Sequence, residues 1–284
     1  GVSYKWDGNT LTIKPPKTFT LSKLDIEAAK KIRSALMMIG SLIHHVDSFK
    51  MPHAGGCKMG ERTIAAHRYG LEELGIQIET KADFYEISKN KLHAGDIVMY
   101  EAGDTAVINI LLAAAGIEQK TIISFASSNY QVQEVCFFLQ KLGVTIEGVG
   151  THKLTIIGKK EFNTPTEFSV AEDPIESMMF ISAAIITNST LTVKRCPIDF
   201  LALELLKLEK MGLKYKKTKV YKSYNERTDL VDITVYPSKL IAPQDKIHAL
   251  PYPGINTDNL PFFVPIATLA EGPTLIPGWT CGNR

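Results

Sequence analysis

One short pattern, Leu-x-x-Leu-Gly or Leu-x-x-Met-Gly, occurs at Leu71 to Gly75, Leu139 to Gly143 and Leu208 to Gly212, and its glycines stand 68 and 69 residues apart. Spacing that regular marks copies of one supersecondary unit and restricts the fold to a repeat architecture. Each motif closes an amphipathic helical stretch, where glycine just past the last turn is the usual stop. An alternating pair of strands is expected after each glycine. After Gly143 these are Val144 to Glu147 and Leu154 to Ile157, a hairpin.

The opening residues repeat that hairpin, with Val2 to Lys5 and Leu11 to Ile13 around the turn Asp7-Gly8-Asn9. A second helix precedes each motif, over Asp25 to Gly40, Asp104 to Gly116 and Asp173 to Ile186, each opening near an acidic cap. Strands follow the last two, at Lys120 to Ser124 and Thr190 to Val193. The unit reads helix, strand, helix, strand, strand, which rephases to βαβαββ and places the chain in the α/β (α+β) class. A fourth copy starts at Asp258 and runs through Leu269 to a strand at Thr274 to Ile276. Copies cut at both ends lead us to expect an internal fragment of a longer protein.

Composition narrows the function. The 284 residues are 45% hydrophobic and carry a formal charge of +2, with no long basic run, which argues against a nucleic-acid partner. Charged residues interrupt every apolar run before the roughly 18 residues a membrane helix needs, and the first residues do not form a signal peptide. The four cysteines are scattered without a CxxC pair; Cys136 and Cys196 lie among apolar neighbours and read as core residues, and a reducing cytoplasm is the expected compartment.

Chemistry concentrates in two places. In Ala54-Gly55-Gly56-Cys57-Lys58-Met59-Gly60-Glu61-Arg62, glycines free the backbone to move and to approach a ligand, and the cations favour the thiolate of Cys57. Such a thiol can act as acid or nucleophile; a flexible turn with an incidental cysteine is the competing interpretation. Pro251-Tyr252-Pro253-Gly254-Ile255-Asn256-Thr257-Asp258 precedes an apolar helix, where Asp258 is either a helix cap or a general base. Arg33 and Arg62 suit bidentate grip of phosphate or carboxylate. His44-His45 with Asp47 reads as a solvated helix end rather than a metal site, and Lys214 to Lys219 as a charged edge strand.

With these segments in view, the chain resembles the enolpyruvyl transferases, in particular the branch acting on UDP-N-acetylglucosamine. The likeness is specific at Gly55 to Arg62 and at Pro253 to Asp258, and extends to Lys31 to Ala35 and Glu172 to Ser177. It implies an inside-out α/β barrel of βαβαββ repeats, with about four of six present. It also implies a first domain over 1–171 that carries the Cys57 loop and part of a second over 172–284. The implied substrates are phosphoenolpyruvate and UDP-N-acetylglucosamine, for the first committed step of peptidoglycan synthesis, with no cofactor and no metal. Cys57 would be the proton donor and the target of fosfomycin, and Asp258 the base near the sugar 3'-hydroxyl. Arg62 and Arg33 would hold anionic groups, with Thr63, Ile64, Ala65, Ala66, Thr257, Thr280 and Arg284 completing the substrate contacts. The fragment by itself is expected to be inactive. Ala65-Ala66, Glu101 to Thr105 and Ser128 to Gln131 differ from the family pattern. The alternatives are therefore a paralogue with another acceptor, or a sensor that binds phosphoenolpyruvate or a nucleotide sugar without turnover.

Overall fold

The computed structural model describes residues 2–14, 16, 18–21, 24–53, 55 and 63–278. It forms two compact units: Gly1–Ala126 with Leu142–Thr164, and Ser127–Lys141 with Pro165–Arg284.

The first unit is organised by one helix. α4 (Asp104–Ala114) is apolar almost all round and buries eight of its eleven residues, so it must be enclosed rather than lie on a surface. Three sheets belong to this unit. β1 (Ser3–Asp7) and β2 (Thr10–Lys14) form an antiparallel hairpin. β3 (Ser48–Pro52), β5 (Phe84–Lys89) and β4 (Ile76–Thr80) follow in that order across the second sheet. The third has the order β6 (Asp96–Val98), β7 (Lys120–Ser124), β9 (Lys153–Ile157), β8 (Thr145–Glu147). Buried Ile97, Ile123, Ile146, Leu154 and Ile156 alternate with more exposed neighbours, so that sheet turns one face inward. α2 (Met38–Leu42) and α3 (Ala65–Glu72) pack on α4. Helices inside and sheets outside are the expected inside-out arrangement; among the described residues the strands form separate sheets rather than one closed barrel.

In the second unit α6 (Pro174–Ile186) packs against α8 (Leu260–Leu269) and the sheet. That sheet runs β10 (Leu191–Pro197), β13 (Asp229–Tyr236), β11 (Lys214–Lys217), with the short β12 (Tyr221–Lys222) also on β13. α7 (Ala202–Lys210) buries Leu205 and Leu208. α5 (Tyr130–Lys141) also belongs to this unit.

The repeat is visible in the topology. The orders β3-β5-β4, β7-β9-β8 and β10-β13-β11 are the same, with the last strand of each copy in the middle. β6, α4, β7, α5, β8 and β9 are one whole βαβαββ unit, its first two strands parallel. Gly75, Gly143 and Gly212 all have positive φ, at 86°, 94° and 99°, which a residue with a Cβ adopts only under strain. After α7 the Gly212 N–H bonds to Glu209 O and the Leu213 N–H to Leu208 O, satisfying carbonyls the helix leaves open. Lys214–Lys217 is the edge strand expected of that basic run.

Several sequence expectations need correction. Asp25 to Gly40 is not one helix: α1 (Ile26–Lys31), capped by Asp25, ends where Ile32 turns extended (φ −125°, ψ 133°). A 3₁₀ turn, Arg33–Met37, then leads into α2. The break rephases the chain so that Leu36 O and Gly40 N–H both meet the Asn109 side chain of α4. β3 was not expected, although Phe49 and Met51 alternate inward along it. β10 runs on past Val193, with a bulge before Cys196 where Arg195 takes φ 59° and pairs with Glu172. Thr274 to Ile276 is not a strand; its backbone takes one bond, from Ile247 N–H to Leu275 O, and no ladder forms. Gly103 holds the cap position of α4 without a side-chain cap bond, and the acidic Asp104 is the first residue of the helix. His44 is half-buried on Ala113 O at 2.8 Å rather than solvated.

Gly40 gives a direct test of this packing. A Cβ there would stand 2.1 Å from the Asn109 carbonyl oxygen, whereas one at Gly278 would meet nothing within 4 Å. Gly40→Ala should lower the unfolding free energy by about 3 kcal/mol, and Gly278→Ala should change it by less than about 0.5 kcal/mol. Equilibrium urea unfolding of the two variants reads the difference.

Candidate active site

Cys57, Arg62, Thr280 and Arg284 lie outside the described residues. On the C-terminal side of the Cys57 segment the described residues resume at Thr63. Thr63 Oγ1 accepts the Ala65 N–H at 3.3 Å, which starts α3 without a capping side chain at Ile64. Ile64 and Ala66 are buried in the core, Ala65 is half-buried and Thr63 is exposed. Arg33, 30 residues upstream, donates from its guanidinium to Thr63 O at 3.4 Å. The turn carrying Arg33 and the segment leaving the cysteine loop are therefore neighbours.

Beneath them lies a buried polar network the sequence reading missed. Asn109 is fully buried; its Oδ1 accepts the Gly40 N–H at 2.7 Å. Its Nδ2 donates to Leu36 O at 2.9 Å and to Nδ1 of His67 at 3.1 Å. An amide nitrogen can only donate, so His67 Nδ1 is the acceptor and the proton of the neutral ring sits on Nε2. That nitrogen faces Thr105 Oγ1 at 3.4 Å. Burial, reinforced by the Arg33 charge, lowers the His67 pKa to about 4. Beside this network Tyr85 packs against the His53 ring, 4.6 Å between centroids; burial raises the Tyr85 pKa and Arg33 opposes the rise. The sequence signal was a lone asparagine in the otherwise apolar run from Ala106 to Ala115.

In the second unit Asp258 is exposed and does not cap α8, because Asn259 holds the cap position. The turn before the helix is tied down by its neighbours: Asn256 Oδ1 accepts the Asp258 N–H at 2.9 Å, and Asn256 O accepts the Asn259 N–H at 3.0 Å. Thr257 is half-buried. Asn259 makes no cap bond to its own helix. Its Nδ2 instead reaches Oε1 of Glu204 on α7 at 2.9 Å. Glu204 is almost fully buried, and burial pushes its pKa up against the pull of the Asn259 amide. Glu204 stands on the stripe Leu201, Leu205, Leu208, where a charged residue was the available sign of a special role.

Among the described residues the two thiols are inert by environment. Cys136 and Cys196 are buried, and burial pushes them up to about 12 and about 11, so neither is a ready thiolate. No helix of the described residues is long and apolar enough to cross a membrane.

The pattern of the EPSP synthase (3-phosphoshikimate 1-carboxyvinyltransferase) family matches residues 1–278. The chain is 32% identical over 284 residues to the UDP-N-acetylglucosamine 1-carboxyvinyltransferase of Sulfurimonas denitrificans, covering 99% of this chain and 64% of that protein. It is 31% identical over 286 residues to the protein of the same name from Campylobacter lari, covering 100% and 65%. The chain thus spans a little under two thirds of the length of these relatives. Among solved structures it is similar to the enolpyruvyl transferase NikO from Streptomyces tendae, with a TM-score of 0.73 and 19% identity over 97% of this chain and 63% of that one. It is also similar to an EPSP synthase from Acinetobacter baumannii, with a TM-score of 0.68 and 18% identity over 98% and 62%.

The lowered His67 pKa makes stability pH-dependent with a fixed sign. The unfolded chain takes up the proton near pH 6.5 while the native ring stays neutral down to about 4. His67 therefore supports folding above pH 6.5 and withdraws as much as about 3 kcal/mol of stability as the pH falls to 4. Urea unfolding between pH 7.5 and 4 should show this decline, and His67→Gln should flatten it.

Proposed function

Because the chain belongs to the EPSP synthase family, we propose that the protein it comes from transfers the enolpyruvyl group of phosphoenolpyruvate to the 3'-hydroxyl of UDP-N-acetylglucosamine and releases phosphate. The observation that carries this reading is the likeness, along 99% of the chain, to a protein named for that acceptor. The glycine-framed Cys57 and the Thr257-Asp258 pair agree with it. The reaction belongs to peptidoglycan synthesis in the cytoplasm and needs no metal or organic cofactor.

The chemistry divides among few groups. Asp258, exposed on its turn, takes the proton of the attacking hydroxyl. As the oxygen bonds to the central carbon of phosphoenolpyruvate, Cys57 protonates the methylene carbon and a tetrahedral ketal phosphate forms. Loss of a proton from the new methyl group then expels phosphate and restores the double bond. Arg33 and Arg62 stabilise the charge carried by the carboxylate and by the departing phosphate. In this reading the chain divides into a first domain over 1–171, which carries Cys57, and part of a second over 172–284, which carries Asp258. Thr63, Ile64, Ala65 and Ala66 flank the sugar nucleotide, and Thr280 and Arg284 complete the site.

A different acceptor within the same chemistry is the second reading, favoured by Ala65-Ala66, where no side-chain carboxylate can meet a uridine. Phosphate release by the full-length protein tests both. Release from phosphoenolpyruvate should depend on UDP-N-acetylglucosamine, and Cys57→Ala should slow it by about a hundredfold or more. Phosphoenolpyruvate binding without release would favour the other acceptor or a sensor; a Cys57→Ala protein with near-normal turnover would remove the cysteine from the mechanism.

A further inference from the structure

The Glu204–Asn259 pair has no part in the chemistry above, yet it is the most completely buried polar pair of the second unit. Glu204 lies on the apolar stripe of α7, where an ionisable side chain is costly to bury. Asn259 is fully buried and stands at the cap of α8, where an asparagine ordinarily bonds the free N–H groups of its own helix. It forgoes that bond and donates to Glu204, 55 residues away. The end of the turn that presents Asp258 is therefore fastened to a side chain of α7, and the start of the turn is tied to that end by the Asn259 N–H, which Asn256 O accepts at 3.0 Å. Within the turn Asn256 holds the Asp258 N–H, so the backbone on either side of Asp258 is fixed while its carboxylate stays exposed.

We infer that Glu204 and Asn259 are positioning residues for Asp258, holding its carboxylate at the place from which it takes the acceptor proton. This rests on the reading of Asp258 as the base. The physical argument is one of precision: a base on an exposed turn samples many orientations, and misplacement by about 1 Å can cost on the order of a hundredfold in rate. The bond that Asn259 donates to a buried carboxylate, with the Asn256 bonds inside the turn, removes that freedom. A cap bond from Asn259 to its own helix would steady α8 but leave the turn untethered from α7.

The test uses the full-length protein with Glu204→Leu and Asn259→Ala. Each should lower the rate of phosphate release at least about tenfold, with the KM values for phosphoenolpyruvate and UDP-N-acetylglucosamine within about threefold of the parent. The solvent deuterium isotope effect on that rate should rise, because proton abstraction by a loosened base becomes slower than the steps around it. Glu204→Gln, which keeps one acceptor oxygen, should fall between. A merely structural role would lower the rate only in proportion to the folded fraction and leave the isotope effect where it was; that result overturns the inference. Should Glu204→Leu fail to fold, Asn259→Ala carries the same two outcomes. If the parent itself releases no phosphate, the proposed reaction is what fails. Amide hydrogen exchange then decides the positioning: faster exchange at Asn256 and Asp258 in Asn259→Ala, with β13 still protected, upholds it, and unchanged exchange ends it.

Discussion

A helix without a polar side cannot lie against water, and α4 is such a helix. Enclosing it accounts for the core of the first unit: α2 and α3 must pack on it, and the sheet of β6, β7, β9 and β8 must turn one face inward. The polar group buried in its middle, the Asn109 amide, then has to be satisfied internally, since an unpaired buried amide costs about 1 to 3 kcal/mol. Three bonds satisfy it, and together they hold the Arg33 turn, α2 and α3 in one arrangement. The close approach at Gly40 belongs to the same constraint.

The second unit uses the same device with a carboxylate in place of the amide. Glu204 faces a turn from the core side as Asn109 faces the 3₁₀ segment, and each links elements far apart in sequence. Buried polar groups of this kind add little net stability compared with well-packed apolar side chains, but they admit few geometries. That trade suits chemistry in which charge develops at fixed points and the responding groups have to be in place beforehand.

What was legible in the sequence followed from local periodicity. Strands such as Lys120–Ser124 and the hairpin after Gly143 alternate apolar and polar residues, and the helix ends were marked by glycine. The copies could be aligned because each keeps this local grammar. The broken helix at Ile32 was hidden because its cause, the Asn109 side chain, is 73 residues from the carbonyl it binds. Asp258 looked like a possible cap since Thr-Asp before an apolar run is a common start; the turn made by Asn256 moved the cap one residue on. For the site, the sequence pointed to the segments but not to what braces them. Asn109 and Glu204 stand out in the sequence only as polar residues on apolar stretches, and their roles, like those of His67 and Asn259, follow from partners on other elements.

Gly75, Gly143 and Gly212 share a backbone shape as well as a motif, and this separates the repeat from the chemistry of its side chains. A left-handed residue at each of these stops is demanded by the path of the chain from helix to strand, whatever the neighbouring copies have become. Side chains around the three sites have already diverged, from Glu72-Glu73 to Gln140-Lys141 and Glu209-Lys210. A map of tolerated substitutions along the chain would thus return the 68- and 69-residue spacing from intolerance at the glycines alone. The ancestry of the fold is preserved as torsion angles, in positions that drift cannot easily rewrite.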